Sequence, residues 1–329
     1  MTNLQKNNPK VSIIVPLKEM NQNLKECVDY CLQLDYPNYD IIILPDEDNG
    51  NFKFNSSRIR VIPTGNITPP KKRDFALDKT DADILAFIDD DAYPFGDWLR
   101  NAVRHFSNNR IAAVCGPAIT PKSDSLFQKA SGEVYESILV SGFHALRYKS
   151  KKACFVWDYP SCNFLIRRDI FAELGGFNTN FWPGEDTFLC AAVTRKLNKK
   201  IIYDPAVLVY HHRRPLFRAH LKQVISYALH RGYFTKRGLN PNFEFTYFLP
   251  SLFLIGLVSG FVLAQFSHQL KIAYLALLAV YFLLVLIFSI SKDLRLILLK
   301  FFGIITTHIA YGFFFLKGLF QSKLKEEKA

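Results

Sequence analysis

The chain has 329 residues, enough for one large domain or a medium domain with an attachment, and its apolar residues (49%) crowd into long stretches after Phe243. Its 41 Lys and Arg against 29 Asp and Glu give a net charge of +12, which suits an anionic membrane surface or phosphorylated substrates. No basic helix or zinc-ligand spacing accompanies that charge, which argues against nucleic acid as a partner.

The opening residues, MTNLQKNNPK, are polar and lack the apolar core of a signal peptide. The six cysteines form no CxxC pair and read as reduced, small apolar side chains, not a disulfide framework. Both features point to a head that stays in the cytoplasm. Val11 to Pro16 is a β-branched run ending at a proline, the pattern of a buried strand. Asn23 followed by Glu26 predicts a capped helix running to about Leu34. Asp40 to Pro45 is a second apolar strand, Arg58 to Ile62 a third, and Asp83 to Ile88 a fourth. Strands separated by helix-length segments imply βαβ units and a mostly parallel α/β sheet. Ligands of such sheets bind beyond the carboxyl ends of the strands. There the sequence carries Lys18-Glu19, Asp46-Glu47-Asp48 and Asp89-Asp90-Asp91. No GxGxxG follows any strand, so a dinucleotide-binding dehydrogenase is a poor fit.

Asp89 and Asp91 alternate along an extended strand end and share one side of it. Taken alone, a triple Asp fits either a solvated turn or a cation site for a diphosphate, and the apolar strand before it favours the cation. Glu185 and Asp186, in Trp182-Pro-Gly-Glu-Asp-Thr187, precede a helix expected over Phe188 to Val193. Acids belong at helix starts for dipole reasons alone, but a general base over an acceptor hydroxyl would use the same position. Trp182 would offer a sugar its apolar face or anchor the loop.

Together these segments resemble the family 2 glycosyltransferases, whose fold is GT-A, from Val11 to about Gly232. The carriers are the first strand, Asp40 to Asp46, Lys72-Arg73-Asp74, the DXD-like Asp89-Asp90-Asp91, Gly175-Gly176-Phe177 and the ED-like Gly184-Glu185-Asp186. The resemblance implies an inverting enzyme using a nucleotide-sugar donor and Mn²⁺ or Mg²⁺. It implies that Pro16, Glu19, Asp46, Lys72, Arg73, Asp89 and Asp90 bind the donor, with Asp46 reading the base near Arg73. Asp91 and Asp89 would hold the metal, completed by His211 or His212 of Tyr210-His-His-Arg-Arg. Asp186 would be the base beside Glu185, and Trp182 and Asn163 would face the acceptor. Gln223, Tyr227, Arg231 and Gly232 resemble the QxxRW of processive synthases without its Trp, and Arg231 would clamp the diphosphate.

Residues 247–266 and 272–291 carry no charge and approach membrane-span length, and 296–320 is apolar but for Lys300 and Lys317. The expected organisation is a cytoplasmic GT-A head over 1–240 and a membrane domain over 241–329 in the inner membrane. Three spans are expected, although Lys323, Lys325 and Lys328 would favour a tail on the cytoplasmic side and an interfacial last helix. The expected partners are a nucleotide-sugar, a lipid-linked or membrane-associated acceptor and the membrane. The missing Trp favours single-sugar transfer in envelope polysaccharide synthesis. A polyprenyl-phosphate monosaccharide synthase, a processive synthase and a non-catalytic nucleotide-sugar scaffold are the alternatives.

Overall fold

β-branched and apolar runs of the first 90 residues form one half of an eight-stranded sheet. A computed structural model describes residues 8–48, 50, 52–239 and 244–327. Most of the polar N-terminus, the expected boundary at 240–241 and Lys328 lie outside these residues. The chain divides into two compact units, 1–119 with 149–212, and 120–148 with 213–329.

In chain order the first unit begins with β1 (Val11–Pro16), α1 (Gln22–Cys31), β2 (Tyr39–Leu44), β3 (Ile59–Val61), α2 (Pro69–Ala76) and β4 (Ile84–Ile88). It continues with β5 (Ala92–Pro94), α3 (Trp98–Val103), β6 (Ile111–Cys115) and β7 (Ala118–Ile119). The chain then enters the second unit for α4 (Leu126–Glu136) and α5 (Ile138–Ser141). It returns for β8 (Cys154–Val156), β9 (Asn163–Arg167), α6 (Arg168–Glu173), α7 (Glu185–Ala191), β10 (Lys200–Tyr203) and β11 (Val209–His211).

The main sheet has the order β3-β2-β1-β4-β9-β6-β10-β8. Its first four strands are parallel as expected, but β9 runs antiparallel between β4 and β6, so the whole sheet is mixed. β1 pairs in register with both neighbours, Pro16 opposite Leu44 and Ile14 opposite Phe87. That register brings the residues after β1, β2 and β4 to one edge of the sheet. Ile13, Ile14 and Val15 are all fully buried, as a strand covered on both faces requires. Leu24, Cys27, Val28 and Cys31 of α1 join the same core, and all six cysteines are free thiols. The cap of α1 is Asn21, not Asn23: its side chain accepts from Leu24 N at 2.9 Å. A smaller sheet, β5-β11-β7, sets β11 beside the turn that follows β4.

The second unit is helical, and adds α8 (Arg218–Lys236), α9 (Leu249–Leu263), α10 (His268–Ser289) and α11 (Leu294–Phe320). Three helical segments, 245–263, 268–289 and 294–327, are long and apolar enough to cross a membrane. α8 and α11 meet closely through glycines. A Cβ on Gly232 would stand 2.1 Å from Phe315 O, and one on Gly318 would stand 2.2 Å from Leu229 O.

Candidate active site

Three consecutive side chains of α2 tie the site together. Lys72, 2% exposed, donates from Nζ to Leu17 O at 2.8 Å, Leu44 O at 3.2 Å and Asp46 Oδ1 at 2.6 Å. It thereby closes the ends of β1 and β2 and fixes the Asp46 carboxylate. Arg73, also buried, donates to Asp89 Oδ1 at 2.6 Å and holds Nη1 3.8 Å from Glu185 Oε1. Asp74 accepts from Phe177 N at 2.8 Å, and a Cβ on Gly176 would stand 2.2 Å from Asp74 Oδ1. With its positive φ of 80°, this position suits glycine. Burial raises the Asp74 carboxyl to about 6, against the pull of its backbone donors and of Arg73. Arg73 is expected near Asp46; it is Lys72 that pairs with Asp46, and because successive helical side chains diverge by 100°, Arg73 turns toward Asp89 and Glu185.

Asp89, Asp91 and His211 each offer one ligand atom, and these atoms lie within 4.8 Å of one another. Asp89 and Asp91 follow β4, and His211 ends β11, its Nε2 3.0 Å from Asp91 Oδ1. Burial opposes charge on His211, but the Asp91 carboxylate outweighs it and raises the imidazole to about 10. Two carboxylate oxygens and an imidazole nitrogen form a donor set that fits Mn²⁺ and, less closely, Mg²⁺. Strand alternation separates the two histidines. His212 turns its Nε2 to Glu26 Oε2 at 2.8 Å. Asp89 to Asp91 form a turn between β4 and β5 and not the expected extended strand end, and within it Asp90 faces away: it accepts from Asn21 Nδ2 at 2.6 Å, and burial raises its carboxyl to about 6.

At α7 the two acids differ. Glu185 is 4% exposed and accepts from Gly184 N at 3.0 Å beside Arg73; burial first, then Asp186, pushes its carboxyl up. Asp186 keeps some exposed surface and is held by the side chain and backbone of Ser161. Burial raises its pKa, Arg73 and Ser161 oppose the rise, and the Asp158 carboxylate reinforces it. Asp158 also accepts from Thr187 Oγ1 at 3.2 Å. Asp158 and Ser161 were not singled out from the sequence; they lie in the loop before β9, and only their position beside Pro160 to Asn163 hinted at the site.

The other expected residues make contacts of their own. Asn163 is fully buried, accepting from Trp98 Nε1 at 2.9 Å and donating to Gly116 O at 2.7 Å and Val207 O at 2.8 Å. These contacts make it a tie between strands. Trp182 is 48% exposed on the loop before α7. Pro16 is buried at the end of β1, and Glu19 is exposed beside Lys18 at 3.4 Å. Arg231 belongs to the second unit, with its guanidinium 4.1 Å from the centre of the Tyr247 ring.

Residues 12–175 match the family model "Glycosyl transferase family 2". A pre-mycofactocin glycosyltransferase of Mycobacterium tuberculosis is 27% identical over 150 residues, 46% of this chain and 31% of that protein. The chain thus spans about a third of the length of that relative. A dolichyl N-acetyl-alpha-D-glucosaminyl phosphate 3-beta-D-2,3-diacetamido-2,3-dideoxy-beta-D-glucuronosyltransferase of Methanococcus voltae is 23% identical over 274 residues, covering 75% of this chain and 82% of the relative. Among solved structures, a mannosyltransferase from Pyrobaculum calidifontis in complex with GDP-Man and Mn²⁺ superposes with a TM-score of 0.65 at 16% identity. That match covers 98% of this chain and 90% of the other, and it shows the fold.

Proposed function

We propose that this chain, which belongs to glycosyl transferase family 2, moves a single sugar from a UDP-sugar to a lipid-linked saccharide at the cytoplasmic face of a membrane. The observation that carries the proposal is the bridge made by Arg73, which touches Asp89 of the candidate metal triad and Glu185 of the acid pair. Donor-side and acceptor-side carboxylates therefore share one site.

In the proposed reaction the acceptor hydroxyl oxygen bonds to the anomeric carbon from the face opposite the nucleotide. The carbon–oxygen bond to the diphosphate breaks with its electron pair leaving on the diphosphate, so the configuration inverts. The hydroxyl proton passes to Asp186, whose exposed surface and raised pKa suit a general base better than the enclosed Glu185. Such help contributes roughly 10²–10⁴-fold. A divalent cation held by Asp89, Asp91 and His211 would supply Lewis-acid stabilisation of the leaving diphosphate. Lys72 holds Asp46 for contact with the base, and Trp182 offers an apolar face for the acceptor sugar. The apolar helices of the second unit and the dolichyl-linked substrate in the name of the Methanococcus relative support a lipid-linked acceptor. The QxxRW-like segment lacks its Trp, which supports single transfer over polymer extension.

The test is acceptor dependence. UDP released from a UDP-sugar should rise with a lipid-linked saccharide and not with polyprenyl phosphate alone. Equal turnover on the bare lipid phosphate would favour a monosaccharide–lipid synthase instead.

A further inference from the structure

We infer that only α9 and α10 cross the bilayer, and that α11 lies in the plane of its interface and returns the chain to the face it left. The membrane-anchored reading above is the premise. The decisive contacts flank the three apolar helices in sequence. Near the end of α8, Lys236 Nζ donates to Gln321 O at 3.3 Å and Arg237 Nη2 to Ser322 O at 3.0 Å. His230 Nε2 lies 3.2 Å from Glu326 Oε1, and the Tyr233 hydroxyl donates to Glu327. One set of residues precedes α9 and the other follows α11. A hydrocarbon core about 30 Å thick cannot separate groups in hydrogen-bond contact. Between residues 237 and 321 the chain must therefore cross an even number of times, and three crossings are excluded.

The distribution of apolar surface identifies the helix that does not cross. Exposed apolar side chains surround α10, as Leu277, Val280, Phe282, Leu283 and Leu286 show, and a spanning helix requires this. On α11 the exposed apolar residues are Leu294, Leu298, Phe302, Ile309, Phe313 and Phe320. Their spacing confines them to an arc of about 100° on a 3.6-residue helix. The opposite face carries polar groups that are already engaged. Lys300 Nζ is 3.4 Å from Glu133 on α4, Thr307 Oγ1 is 2.9 Å from His220 Nε2 on α8, and His308 Nε2 is 3.0 Å from Leu139 O on α5. One apolar face and one polar face packed on protein is the pattern of a helix lying in the membrane surface. Its occupant is the acyl region of the bilayer, continuous with the lipid around α9 and α10. Lys323 and Lys325 then share a face with Lys236 and Arg237, which removes the conflict between three spans and the positive tail.

The experiment uses the full chain in sealed membrane vesicles, in a Cys154→Ser background. Leu239→Cys, Gln265→Cys and Ser322→Cys are introduced singly and labelled with a membrane-impermeant maleimide before and after permeabilisation. Residues 239 and 322 should label from one side and residue 265 from the other. Residue 322 labelling together with 265 would overturn the inference, and so would all three labelling from one side. A phosphatase reporter fused after Ala329 of the otherwise unsubstituted chain reads the face of the tail independently of the cysteine variants. Carbonate extraction alongside separates the premise: release of the protein from the membrane would refute anchoring itself, whatever the labelling shows.

Discussion

Replacing Lys72 with Met keeps the aliphatic stem and removes the ammonium that closes two strand ends. Three acceptors lose it: Leu17 O, Leu44 O and Asp46 Oδ1. The Asp46 side chain is 15% exposed, so water reaches it only in part. Removing one partner of a buried ion pair costs about 3–5 kcal/mol. Because Asp46 keeps some hydration, the lower end applies, about 3 kcal/mol. For a domain of this size each kcal/mol moves Tm by about 2–4 °C, which gives a fall of about 6–12 °C. Intrinsic fluorescence of the purified protein in detergent measures that fall, and calorimetry with UDP should show weaker binding in the same variant. The double variant K72M/D46N should regain part of the loss, because the stranded carboxylate is gone. A shift under about 2 °C with unchanged UDP affinity, or a double variant no more stable than K72M, would refute the reasoning.

Asp91→Ala should abolish specific Mn²⁺ binding, read by electron paramagnetic resonance, and should also lower Tm of the metal-free protein, because it removes the partner of the half-buried His211 imidazole. Asp186 must be ionised to accept a proton, so the rate should fall as pH drops through its pKa, with the acid limb above the ordinary aspartate value of about 3.9. Asp158→Asn removes a charge that raises that pKa and should move the limb to lower pH; an unmoved limb would sever Asp158 from the base. Gly318→Val drives a side chain into Leu229 O and should cost about 1–3 kcal/mol or more in thermal unfolding, whereas Gly256→Ala meets nothing within 4 Å and should be tolerated.

The strands and the carboxylates at their ends were legible because parallel, doubly covered strands read as unbroken apolar runs and ligand groups follow them directly. The partnership of residues far apart in sequence was not. Nothing in Lys72-Arg73-Asp74 says which of three adjacent side chains faces Asp46, since that depends on how α2 is rotated against the sheet. The two histidines could be separated only once β11 was paired with β5, which fixes the alternation at His211. Asn163 illustrates a different case: expected to face the acceptor, it opens β9 and ties Trp98, Gly116 and Val207 together, contacts that its sequence neighbours do not announce. Antiparallel β9 was missed because the sheet's direction changes there without any change in composition.

Donor turnover is the most direct test of the central claim. Purified protein in nanodiscs would be given UDP-, GDP- and dTDP-sugars with native lipid extract, in Mn²⁺, Mg²⁺ or EDTA, beside Asp91→Ala and Asp186→Asn. The expected result is release of UDP from one UDP-sugar, dependent on metal and lipid and lost in both variants. Metal-dependent donor binding without turnover of any sugar, or full turnover by Asp186→Asn, would contradict it.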